Sequence, residues 1–246
     1  MIWALLFSLI FGSSESVLMN PKFNKHVRKH VEDKGRKHKI LDLAKAYEKE
    51  AKSQRKKEKK KVKEMNDLNT SRTTTAEEFE VFFDKLLNDK IELAHKRIVL
   101  RLAVQDQFER TEWDLLLADS KEVWAKDGKK RKKDINKLNK SFEKVETRII
   151  GKVSDEERKR KALIIIENFR IDLIGIQKTY DGLNISENLI LQNIDASESD
   201  LQLIQDEIND MRKDLYKSYT EAHMELVEVL LEDEWPKIVK SINKIF

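Results

Sequence analysis

The chain has no cysteine among its 246 residues. Disulfides, thiolate zinc sites, iron–sulfur clusters and cysteine nucleophiles are thereby excluded. Glycine and proline are nearly as scarce, at 6 and 2. Folds rich in tight β turns draw on both residues for positive or fixed φ, so this scarcity argues against an all-β protein. Long apolar runs are also missing. Ile2 to Phe11 (IWALLFSLIF) stops at ten residues, about half of what a bilayer span needs. Catalytic signatures are absent as well: there is no glycine-rich phosphate loop, no nucleophile elbow and no paired-carboxylate motif on a loop. The expectation is a non-enzymatic protein with no catalytic residue and no cofactor.

Charge and helix formers take their place. Hydrophobic residues make up 39% of the chain and charged residues 38%, a lean apolar supply that suits long solvated amphipathic helices. Lys, Glu, Leu, Ala and Arg, all strong helix formers, dominate. The predicted class is all-α: long antiparallel helical hairpins with coiled-coil-like packing, preceded by a basic helical or disordered arm.

The net charge of +4 is unevenly spread. Pro21 to Glu64 holds 18 Lys or Arg against 7 Asp or Glu, a local excess of +11. Such an arm can contact anionic lipid. Only Phe23 and Tyr47 offer rings to stack on bases, which argues against nucleic acid. The ten-residue run ahead of it has the length of a signal-peptide core, and small residues follow it, Gly12 to Ser16. This predicts a cell-envelope address, periplasmic or membrane-anchored. The basic arm pulls the other way, because positive charge favours the cytoplasmic face of the inner membrane.

Periodicity divides the rest. Residues 1–16 form the signal peptide or anchor, 17–75 the arm and its linker, 76–150 one helical hairpin region and 151–246 a second. The arm reads as one helix, or two broken near Gly35, with Asp67 to Thr75 as linker. Thr75 is a suitable N-cap. Phe79, Phe82, Phe83, Leu86, Leu87, Ile91, Ala94, Ile98 and Leu102 then mark one helical stripe. A helix restarting at Thr111 is expected to stop at a basic turn around Gly128, with another from Asp134 to about Ile150, ending at Gly151. Ser154 with Glu157 reads as a capping box for a helix through Leu163 to Ile166. The last long helix starts near Ser197. Its Leu201, Ile204, Ile208, Met211, Leu215, Tyr219, Ala222, Leu226 and Val229 form a heptad seam. Such a seam requires a long partner helix, from this chain or from a second copy as a homodimer.

Two segments look alike. Arg101 to Leu117 and His223 to Val239 each end a long helix, pass an acidic turn, show Glu-Trp, and enter a short helix. Glu112-Trp113 and Glu234-Trp235 align without a gap, so the body reads as two related hairpins. Thr111 and Asp233 are the expected caps, with Pro236 in the first turn of the final helix.

This pattern, carried by Phe108 to Trp113 and Leu230 to Trp235, resembles the LTxxQ-motif periplasmic proteins, the Spy and CpxP group. The resemblance covers about 60 residues in two pieces, and both lack the motif's Gln. It implies a helical hairpin cradle that binds unfolded or partner proteins without ATP, or senses envelope stress or metals. A membrane-anchored coiled-coil scaffold subunit of a larger assembly is the alternative expectation. Trp113, Trp235 and the seam residues Leu201, Ile204, Ile208, Met211 and Leu215 are the candidate protein-binding residues. His26 and His30, four apart and so on one helix face, are the candidate metal ligands, with Glu32 or Asp33 as a nearby carboxylate. His95 and His223 lie beside apolar stripes and are expected to be structural.

Overall fold

The computed structural model describes the backbone of residues 22–183 and 189–243, and the side chains of all of these but 55, 58, 59, 122, 123 and 125–134. The stretch 1–16 lies outside the described residues. Every regular element among the described residues is an α-helix, so the all-α class holds. The elements are α1 (Phe23–His30), α2 (Lys34–Thr70), α3 (Ala76–Gln105), α4 (Arg110–Lys152), α5 (Glu156–Gly182), α6 (Leu189–Gln192), α7 (Glu198–Val229) and α8 (Trp235–Ile242). None of the described helices is long and apolar enough to cross a membrane.

Local chemistry sets most boundaries. Thr75 and Ser197 each close a full capping box, with Glu78 and Asp200, satisfying backbone donors that a helix start leaves free. Several expectations shift. Asp155, not Ser154, caps α5 by accepting from the Arg158 N–H. Glu109, not Thr111, is the N-cap of α4, its backbone N–H donating to the Glu112 carboxylate. Glu234, not Asp233, precedes α8, and Pro236 does fall in its first turn. The chain breaks at 31–33 rather than at Gly35, and α2 runs on to Thr70, four residues into the expected linker. The largest change is at Gly128. The basic run there does not break the chain; α4 continues through it as one helix. One glycine costs a helix only about 1 kcal/mol, which the long flanking turns absorb.

A repeat governs the architecture. The two Glu-Trp pairs are 122 positions apart, and so are Val31 and Val153, Asp33 and Asp155, Arg36 and Arg158, and Thr75 and Ser197. At each pair the structure repeats itself. Asp33 and Asp155 each accept from the backbone three residues on. Val31 and Val153 are both buried helix stops. The two units defined by this spacing span 23–120 and 145–242. The supposed arm is the first half of unit one, and its Phe23, Val27, Ile40, Ala44 and Tyr47 are core residues.

The units interlock. One core joins Val145, Ile149, Ile166, Phe169, Leu226 and Ile238 of unit two to Phe79, Phe82 and Leu86 of unit one. The other joins Phe23, Val27, Ala44, Tyr47, Val104 and Leu116 of unit one to Leu201, Ile204 and Ile208 of unit two. Helices α3 and α7 pack on each other and on α2 and α5 respectively. The heptad seam thus finds its partner helices within this chain. Ile91, by contrast, is 41% exposed and leaves the stripe expected for α3.

Candidate metal centre and exposed faces

Each Glu-Trp junction fastens one unit to the other. Trp113 and Trp235 are 0% and 2% exposed. Their indole N–H groups donate across the repeat, Trp113 to the Gln192 carbonyl at 2.7 Å and Trp235 to the Thr70 carbonyl at 3.0 Å. Arg36 grips Glu112 with both guanidinium nitrogens, at 2.6 and 2.9 Å. Arg158 grips Glu234 in the same way, at 2.6 and 3.2 Å. Burial would raise both carboxyls, but the Arg forks and a backbone N–H bond to each hold them below the usual carboxylate range. Trp113, Trp235, Leu201, Ile204, Ile208, Met211 and Leu215, expected to face partners, are all buried in the two cores. Their surface is spent inside the chain.

The histidine pair has a different outcome. Helix α1 packs on α4, and this brings His26 and His30 to Asp119. The three potential ligand atoms lie within 4.8 Å of one another. His30 Nε2 is 2.8 Å and His26 Nδ1 3.2 Å from the same oxygen, Asp119 Oδ2. Two imidazoles and a carboxylate around one point are a recurrent divalent-metal donor set, and three protein ligands leave a fourth position open. Tetrahedral ligands about 2.0–2.1 Å from a metal stand close to these separations already. Asp119 is the carboxylate, rather than Glu32 or Asp33.

The electrostatics suit a cation. Hydrogen bonds from Lys29 and His30 hold the Asp119 carboxyl well below its usual range. Burial lowers His26, and Asp119 only partly opposes it, which favours the neutral form that ligates. Two features weaken the site. Lys29 Nζ sits 2.8 Å from Asp119 Oδ2, where it competes with an ion. His26 Nε2 is buried with no hydrogen-bond partner, so a ring that ligates through Nδ1 must carry its proton in an unreceptive place. Both costs favour weak, exchangeable binding.

His95 and His223 differ from each other. His95 is exposed, 3.8 Å from Glu198. His223 is buried between Phe79 and Trp235, with ring centroids 4.6 and 5.1 Å away, and burial lowers its pKa to about 4. Its repeat counterpart, Arg101, lies over Trp113 at 4.2 Å.

Sequence reasoning missed a further surface. On α5, Ile164 and Ile171 are 53% and 59% exposed. They line shallow grooves with Leu163 and Ile174, edged by Arg160, Arg170 and Lys178 and by Glu143, Glu156 and Glu167. Their counterparts in unit one, 122 positions earlier, are Asp42 and Lys49. The fold therefore does not require apolar residues at these positions, and a comparison of the two units would have revealed it. No family model, curated protein or solved structure matches this chain.

Proposed function

We propose that this chain is a non-enzymatic, metal-responsive binding protein of the cell envelope. The His26–His30–Asp119 cluster is the observation that carries the proposal. A divalent ion there ties α1 to α4 and, through them, stabilises the unit-one core. The apolar face of α5, rimmed by charges of both signs, supports the second half of the reading, capture of an unfolded or partner polypeptide with exposed apolar side chains. The envelope address rests on the Ile2 to Phe11 run, and the twin Glu-Trp junctions keep the LTxxQ-like reading in play. A coiled-coil scaffold has less support, because the seam that suggested it is filled from within.

The test is thermal unfolding of the full chain with and without zinc. A ligand at a hundredfold excess over its Kd stabilises by about 2.7 kcal/mol, which for a domain of this size raises Tm by about 5–10 °C. His30→Ala and Asp119→Asn should abolish the rise. A Tm unmoved by zinc, or moved equally in both variants, refutes the metal reading. Suppression of client aggregation that survives Ile164→Asp with Ile171→Asp refutes the α5 face.

A further inference from the structure

The repeat places a second site where the first unit holds its histidines. Counting 122 positions on, His26 becomes Arg148, His30 becomes Lys152 and Asp119 becomes Ser241. These three line one pocket of about 450 Å³, together with Ser141, Lys144, Thr147 and Gly151. The charge is inverted: two neutral-capable bases and a carboxylate in unit one, two cations and a hydroxyl in unit two. The counterpart of Lys29 is Gly151, and a Cβ added there would meet nothing within 4 Å. The side chain that crowds the unit-one site is thus replaced by open space.

Three lining residues are cationic and none is acidic. Among the described residues, no carboxylate forms an ion pair with Lys144, Arg148 or Lys152, although many other cations of the chain are paired. Ser141 is 3% exposed, and its buried Oγ has no hydrogen-bond partner. A buried hydroxyl left without a partner is uncommon, and here it borders a basic cavity. Arginine and lysine are the usual receptors for phosphate, by fork and by point charge. From this geometry we infer that the α4–α8 pocket binds a phosphate group, borne by a small phosphorylated molecule or by a lipid headgroup. The volume exceeds that of phosphate alone and falls in the range of small-molecule sites. The ordinary role for Lys152, balancing the negative C-terminal end of α4, explains neither Ser141 nor the opening at Gly151.

The experiment uses the full chain in metal-free, phosphate-free buffer. Inorganic phosphate and glycerol phosphate are titrated by calorimetry, and sedimentation is followed with phosphatidylcholine vesicles, with and without phosphatidic acid. Saturable binding is expected, weakened at least tenfold by Arg148→Gln and by Lys152→Gln and unchanged by Lys178→Gln on α5. Gly151→Leu fills the pocket from a helical position and should block binding while keeping the far-ultraviolet circular dichroism and Tm. That variant keeps the test decisive if an Arg148 variant fails to fold. Binding of soluble phosphates alone identifies a free ligand; binding of phosphatidic acid vesicles alone identifies a headgroup. No binding of either, binding that Gly151→Leu leaves intact, or equal loss with Lys178→Gln overturns the inference.

Discussion

Asp119 carries the most chemistry of any single residue. One of its oxygens receives His26, Lys29 and His30 together. A purely structural fastening and a metal site make opposite forecasts for Lys29. If the cluster only pins α1, Lys29→Gln removes an ion pair and loosens it slightly. If the cluster is a metal site, the same change removes a competing cation, so zinc affinity measured by calorimetry should rise severalfold. A fall in affinity would count against the metal reading. His223 supplies a second residue-scale forecast. Its folded pKa is near 4 because of burial, below the usual value of about 6.5. The unfolded chain then binds more protons between these values, so its contribution to stability is full above pH 6.5 and is lost as pH falls towards 4. A shift of this size corresponds to about 3 kcal/mol. Chemical denaturation at pH 7.5 and 4.5 should show the loss, and His223→Leu should flatten it.

The histidine pair was legible in the sequence because four-residue spacing is a local property of a helix. Asp119 was not, since it sits about 90 residues away in the chain and resembles any other surface acid until α1 docks. The same divide runs through the core. Trp113 and Trp235 read as partner-binding residues in sequence, but their destination inside the chain depends on carbonyls at 192 and 70.

At the scale of elements, two helix starts were legible and three lay one or two residues from the expected cap. Thr75 and Ser197 carry their own acceptors, and the structure uses both. Helix interiors misled in one place. The run Lys126 to Lys133 has glycine and dense charge, which together suggest a turn, yet α4 passes through it. Its two ends are each held by tertiary packing, α1 near the start and α8 near the finish, and packing overrides local propensity. The junctions give the forecast at this scale. Glu112→Ala and Glu234→Ala each break a bidentate Arg pair whose carboxylate is buried while its Arg is partly solvated. The cost should lie between the surface and fully buried limits, at about 2 kcal/mol each. Urea midpoints of the two variants should fall together. A large loss in one and none in the other would break the equivalence of the units.

The whole molecule is two copies of one helical plan that complete each other's cores. In sequence the repeat shows as scattered identities, at Glu-Trp and at Val31, Asp33 and Arg36 with their counterparts, while most core positions share burial rather than identity: Val27 with Ile149, Tyr47 with Phe169, Phe79 with Leu201. At several solvent-facing positions the copies carry different chemistry. Unit one kept histidines and an aspartate; unit two kept cations and an exposed apolar face. Interlocking makes a forecast that side-by-side hairpins would not. Residues 1–124 and 141–246 expressed apart should each lack a cooperative unfolding transition, since each misses part of both cores, and mixing them should restore helicity. Independent folding of either piece would contradict the shared cores.

The metal centre is the central claim, and the five histidines allow it to be tested in one titration. Zinc added to the full chain should shift the ring nitrogen signals of His26 and His30 by nuclear magnetic resonance, saturating together. His38 and His95, on the surface with side chains 84% and 63% exposed, and His223 in the core should stay in place. Shifts spread over the exposed histidines, or none at His26 and His30, would contradict the account.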